Sequence, residues 1–170
     1  MTRPYRYVGP PDIALKARTA PPGVPVRTAA DLADWLGGRE PDELREPVTF
    51  VVDERGVLLL APRRSEHVAC AGGRPVLAAG EIAFVRGPGD GWEVSSVTNQ
   101  STGYAPEGRC FPSVAAAVAA LGLTPPDRFD PVFVFRRCPA CRELNVVREE
   151  DFHCAPCGAA LPHAWNVDER

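Results

Sequence analysis

Four of the six cysteines in this 170-residue chain stand as two CxxC steps, Cys138 to Cys141 and Cys154 to Cys157, with twelve residues between them. No other feature narrows the fold so much. A CxxC turn brings two thiolates to one side of an ion while its backbone amides face the sulfurs, and two such turns complete a tetrahedral shell for Zn2+. The predicted metal ligands are Cys138, Cys141, Cys154 and Cys157. The residues between the steps predict a short hairpin, "ELNVV" going out and "DFHC" returning.

In this respect residues 132 to about 165 resemble the zinc-ribbon proteins. A glycine commonly follows the second cysteine of a ribbon turn, as Gly158 follows Cys157; Arg142 follows Cys141, so the first turn carries a bulkier residue. Four thiolates leave no open position for water, which marks the zinc as structural and not catalytic. Iron is the minor competitor; His153 or His163 could replace a cysteine as ligand, but four thiolates are available and the other reading of both is a surface or edge histidine. A closed site of this kind supplies on the order of 10 kcal/mol of apparent binding free energy, enough to decide whether so small an appendage folds.

The rest of the chain predicts an α+β fold: a small, mostly antiparallel sheet with two short helices, followed by the C-terminal ribbon. Pro and Gly number 19 and 15, which favours short elements joined by many turns. Residues 1–26, with "GPP" and "APPGVP", show neither period 2 nor period 3.6 and read as an irregular arm. In residues 27–131, "TAADLADWLGG" places a capping residue, Thr28, before a helix from about 29 to 36, with Gly37 and Gly38 suited to a left-handed end. "VTFVVDERGVLLLA" is a hairpin about Asp53-Glu54-Arg55-Gly56, and "EIAFV" with "WEVSSV" is a second. "FPSVAAAVAALGL" is helical, with Val114, Val118 and Leu121 in a stripe and Gly122 as terminator. "TPPDRFDP" marks the boundary near 124–131, and "VFVFRR" leads as a strand into Cys138, opening the ribbon segment 132–170.

Two stretches are rich in polar groups. "RRSEHVACAGG" contains Glu66 and His67, and "SVTNQSTGYAP" contains Asn99 and Tyr104; together these four residues could line a cleft for proton transfer or ligand binding. The other reading is an exposed charged turn and a turn capped by its own side chains. With Ala71-Gly72-Gly73, Ala78-Ala79-Gly80 and "STGYAP" from Ser101 to Pro106, this region resembles a segment of plant IQ-motif calmodulin-binding proteins, with Gly103 where that family has a histidine. The resemblance implies a shared β-domain and no chemistry. Cys70 and Cys110 read as small buried hydrophobes.

Charge limits the partners. Lys16 is the single lysine, and 19 basic against 22 acidic residues gives a net charge of -3, so the chain offers no general attraction to phosphate backbones or anionic membranes. From 132 to 170 there are five arginines (136, 137, 142, 148, 170) and six acids (143, 149, 150, 151, 168, 169), an argument against nucleic-acid binding. No apolar run reaches the ~18–20 residues of a membrane span, and the N-terminal stretch lacks the apolar middle of a secretory signal. A cytoplasmic location follows, where CxxC pairs are metal ligands more readily than disulfides. Arginine in place of lysine and abundant Ala, Pro and Gly suggest a GC-rich bacterial genome. The expectation is a non-enzymatic zinc-ribbon protein that binds a protein partner, with a small enzyme or ligand-binding protein as the alternative and a nucleic-acid module third.

Overall fold

The computed structural model describes residues 3–168; residues 1, 2, 169 and 170, which include Glu169 and Arg170 of the charge count and the outer ends of the arm and ribbon segments, lie outside the described residues. Asp53 organises the central hairpin. Its Oδ1 accepts from the amides of Arg55 and Val57, both at 2.9 Å, and Gly56 takes the left-handed conformation (φ 81°) that closes the turn. The flanking strands are β2 (Val48–Asp53) and β3 (Leu58–Ala61). A second antiparallel pair, β4 (Val76–Arg86) and β5 (Trp92–Val97), matches the second predicted hairpin, although β4 begins five residues earlier than "EIAFV". With β1 (Val24–Val26), the five strands lie in the order β1-β3-β2-β4-β5, every pair antiparallel.

Central β2 has Val48 through Val52 all buried, so both faces of the sheet are covered where it is thickest. Helix α2 (Ala29–Gly37) starts at the predicted capping residue, which forms a reciprocal capping box: Thr28 Oγ1 accepts from the Asp31 amide at 3.1 Å, and Asp31 Oδ2 accepts from the Thr28 amide at 3.0 Å. It buries Leu32, Trp35 and Leu36. It ends without the expected left-handed glycine, since Gly37 is still helical and Gly38 has φ -83°. Helix α4 (Phe111–Ala119) packs across β2, β3 and β4, with Val114, Val118 and Leu121 buried and Gly122 left-handed at φ 75°. Complete burial of each of those three side chains stabilises the fold by about 1.5–3 kcal/mol relative to exposure.

Three expectations are corrected. The segment 1–26 is not an irregular arm: it contains α1 (Pro11–Ala17) and β1, and the backbone of Tyr5 pairs with that of Val76 through bonds of 2.7 and 2.9 Å. Four helices, not two, occur among the described residues, the added ones being α1 and the one-turn α3 (His67–Cys70). The stretch 124–131 is more than a linker. Phe129 is buried in the main core, edge-on to Phe111 at 5.1 Å, and the Asp130 amide donates to the Val97 carbonyl at 3.0 Å.

Candidate metal centre

Strand β6 (Val134–Arg137) delivers the chain to Cys138, and β7 (Leu144–Val147) leaves after Cys141, the two pairing antiparallel from Val134 with Val147 to Arg137 with Leu144. The first CxxC step is therefore the turn of this hairpin. Its backbone is closed by Cys138 N–H to Glu143 O and Arg142 N–H to Cys138 O, both at 2.9 Å. The second step repeats the pattern: Cys154 N–H donates to Ala159 O and Gly158 N–H to Cys154 O, both at 2.8 Å. Gly158 has φ 74° and Arg142 has φ 68°, so the arginine adopts the same left-handed backbone as the glycine. Its cost is that of any non-glycine residue there, about 1–2 kcal/mol.

The predicted outward and return legs are present in altered form. "NVV" lies in β7, whose ladder partner is β6; the return leg holds only isolated bridges, Arg148 with Asp151 and His153 with Ala160, about a turn in which Glu149 and Glu150 have φ 52° and 58°. This turn folds the second step back onto the first. The four sulfurs lie within 4.8 Å of one another, Cys138 to Cys157 at 3.6 Å and Cys141 to Cys154 at 3.5 Å. A metal–sulfur distance of about 2.3 Å at tetrahedral corners requires sulfurs about 3.8 Å apart, so the set fits one divalent ion. All four thiols are free, with Cys138 and Cys154 buried under Leu161, Val147, Phe152 and Ala159, and Cys141 and Cys157 facing outward.

Backbone amides polarise this cluster. The Cys141 amide, 3.5 Å from the Cys138 sulfur, brings that thiol down to about 6 against the opposing effect of burial, with the Ala140 amide and the Cys157 and Cys154 thiols adding to it. Cys141 moves the opposite way, up to about 12: the Glu143 amide favours its thiolate, but burial and the three neighbouring sulfurs outweigh it. Four anions this close repel one another, and a cation between them removes that conflict. Among the described residues, these four cysteines alone make up the cluster. His153 bonds Asp151 at 2.6 Å, and His163 lies against the Phe152 ring at 4.2 Å.

The four-cysteine segment is joined to the five-stranded sheet by buried contacts. Asn99, fully buried on the loop after β5, accepts from the Phe133 amide at 2.7 Å and donates to the Phe133 and Pro106 carbonyls at 2.8 and 2.9 Å. Phe135 packs with Ala105 and Val167, and Trp165 packs against this cluster: its Nε1 donates to Ala105 O at 2.8 Å and its ring meets Tyr5 edge-on at 5.5 Å. Arg136 bonds the carbonyls of Pro162, His163 and Phe135, and Arg137 bonds those of Val167 and Arg142. These two guanidinium groups hold the C-terminal segment against β6.

Three of the four cleft candidates hold backbone, and the four line no common cavity. His67 Nε2 lies 2.8 Å from Gly80 O, Tyr104 OH donates to Arg74 O at 2.7 Å, Asn99 clamps Phe133, and Glu66 is exposed at the start of α3. One surface depression runs between Ser95–Val97 and Pro126–Asp130, and another lies beside Arg3, Tyr5, Glu107 and Trp165; none of the four lines either. The arginines of the first cluster pair outward, Arg63 and Arg64 both with Glu46. Cys70 and Cys110 are buried, and desolvation pushes each thiol up to about 12. Sequence reasoning passed over Asn145, a buried side chain on β7 that reaches the Cys154 sulfur.

His67 gives a pH test. Burial lowers its pKa, opposed by the bond to Gly80. The folded state therefore binds fewer protons than the unfolded chain, whose histidine titrates near about 6.5. Stability from this group is complete above that pH and is lost as pH falls below it. With metal content held constant, His67→Gln should flatten the fall in unfolding free energy between about pH 7 and pH 5; urea titrations giving the same slope for both proteins would refute this.

The chain is thus an α+β protein with a four-cysteine site able to hold a metal ion. Comparison with protein-family models, curated proteins and solved structures finds no match, so nothing supports the IQ-motif resemblance of residues 71–106. No helix among the described residues is long and apolar enough to cross a membrane.

Proposed function

We propose that this chain is a non-enzymatic cytosolic protein in which a structural zinc ion braces an α+β domain that binds a protein partner. The observation that carries the reading is the set of four sulfurs within 4.8 Å of one another, two of them buried. Sulfur-only tetrahedral donation selects zinc, with iron as competitor, and leaves no coordination position for substrate. A reducing compartment keeps the thiols available for the ion. The engagement of His67, Asn99 and Tyr104 with backbone supports a non-catalytic role, since each polar group already has a structural bond. Partner binding is the proposed use of a metal-braced surface of this kind.

Elemental analysis of protein purified without added metal should find one zinc per chain. Cys154→Ser should lose it and should also lose capture of a partner that, once identified, rebinds the intact protein as two purified components. Absence of stoichiometric metal would overturn the zinc, and turnover of a small molecule by the isolated protein would overturn the non-enzymatic role.

A further inference from the structure

Asn145 is a polar side chain with little reason to be buried unless it works there. It sits on β7 opposite Arg136 of β6, and only 6% of its surface is exposed. Its Oδ1 accepts from the Ala155 amide, inside the second CxxC step, at 3.0 Å. Its Nδ2 donates to Glu143 O, just beyond the first step, at 3.1 Å, and lies 3.4 Å from the Cys154 sulfur. The orientation of the amide is fixed by these partners: a flip would set oxygen against the Glu143 carbonyl and nitrogen against the Ala155 N–H. One N–H therefore points at a sulfur that is itself buried.

We propose that Asn145 is a positioning residue of the metal centre, donating an N–H···S bond to the Cys154 thiolate and tying the two CxxC steps together. The assignment rests on the metal reading given above. The other thiols receive backbone amides of their own turns, as Cys138 does from Cys141. For Cys154 the donor in contact is a side chain from the opposite leg of the site, so it can be replaced without altering the residues of the turn, and aspartate keeps the acceptor for the Ala155 amide. An outer donor of this kind draws charge from the sulfur, lowers the mutual repulsion of four thiolates and fixes the ligand's direction. Loss of such a partner lowers metal affinity by about 10–100-fold.

The experiment uses the whole protein loaded with 113Cd. A proton on Asn145 Nδ2 should show a scalar correlation to the metal across the N–H···S bond, alongside the correlation from the Cys141 amide. In parallel, Asn145→Ala and Asn145→Asp are titrated with zinc against a chromophoric chelator. Aspartate retains the acceptor for Ala155 but sets a carboxylate against the sulfur, so it should bind zinc at least as poorly as alanine, about 10–100-fold below the original. If cadmium binds and the Cys141 amide correlates while Asn145 does not, Asn145 has no bond to the ligand and the proposal fails. Full affinity in the aspartate variant would likewise overturn it. A protein that binds no cadmium would bring down the metal reading as well, a result distinct from either.

Discussion

Stripping the protein of metal with a chelator at neutral pH, or replacing Cys154 by serine, should release the segment from Val134 to Val167 from its fold while the five-stranded sheet persists. The apolar contacts in that segment are too few to hold it. One cluster comprises Ala105, Phe135 and Val167, the other Cys138, Cys154 and Leu161, each with a few partly buried neighbours. A two-stranded ladder such as β6–β7 is at best marginally stable alone. Metal binding contributes on the order of 10 kcal/mol, larger than either cluster can supply. In hydrogen exchange by mass spectrometry, peptides from 134–167 should lose protection on metal removal while β2 and β4 keep theirs. Residues 3–8 should loosen with that segment, because Arg3 pairs with Asp168 and lies 4.9 Å over Trp165, and Val8 packs into the Phe135 cluster. Unchanged exchange in 134–167 would show that packing alone suffices.

The second large effect lies at Gly80. A Cβ built there would stand 1.9 Å from the Thr98 carbonyl oxygen, 2.8 Å from its carbon and 3.0 Å from the Cα of Asn99. All three atoms are backbone, so no side chain can swing aside. Gly80 pairs with Phe50 of β2 and its carbonyl meets His67, so the strand cannot retreat without disturbing the core. Gly80→Ala should cost about 3 kcal/mol or more, the upper end for overpacking, and lower Tm by roughly 6–12 °C in a chain of this size. Gly37 is the control: it lies in α2 with nothing within 4 Å of a built Cβ. Alanine there should be neutral or should raise stability by as much as about 1 kcal/mol. Equal effects at the two positions in chemical denaturation would contradict the steric argument.

The same glycine explains where sequence reading succeeded and where it stopped. Alternating and β-branched runs exposed both hairpins, and Thr28 with Asp31 exposed α2, because these signals are local. The run "VLAAG" does not stand out as strand, since Ala78, Ala79 and Gly80 resemble a loop; Gly80 has no side chain because the backbone of Thr98 and Asn99, just after β5, passes directly over it. Residues 11–17 gave no helical stripe because α1 has no fully buried residue, and Pro25 concealed β1, an edge strand that pairs only with β3. The four cysteines were legible because their spacing is itself the chemistry. Polar side chains were not, for a sequence does not distinguish an asparagine facing a ligand from one facing a carbonyl. Asn99 and Tyr104 are cleft candidates beside the reading as a capped turn for that reason, and Asn145 gives no signal of its own in the sequence.

Asn99 also decides how the four-cysteine segment is held to the sheet. Its amide group meets both the N–H and the C=O of Phe133, reproducing with one side chain the paired bonds that a neighbouring strand would make. The strand that leads to the first pair of cysteines is thereby riveted to the sheet at its entrance, so the sulfur cluster stands on the sheet like an outrigger bolted to a hull.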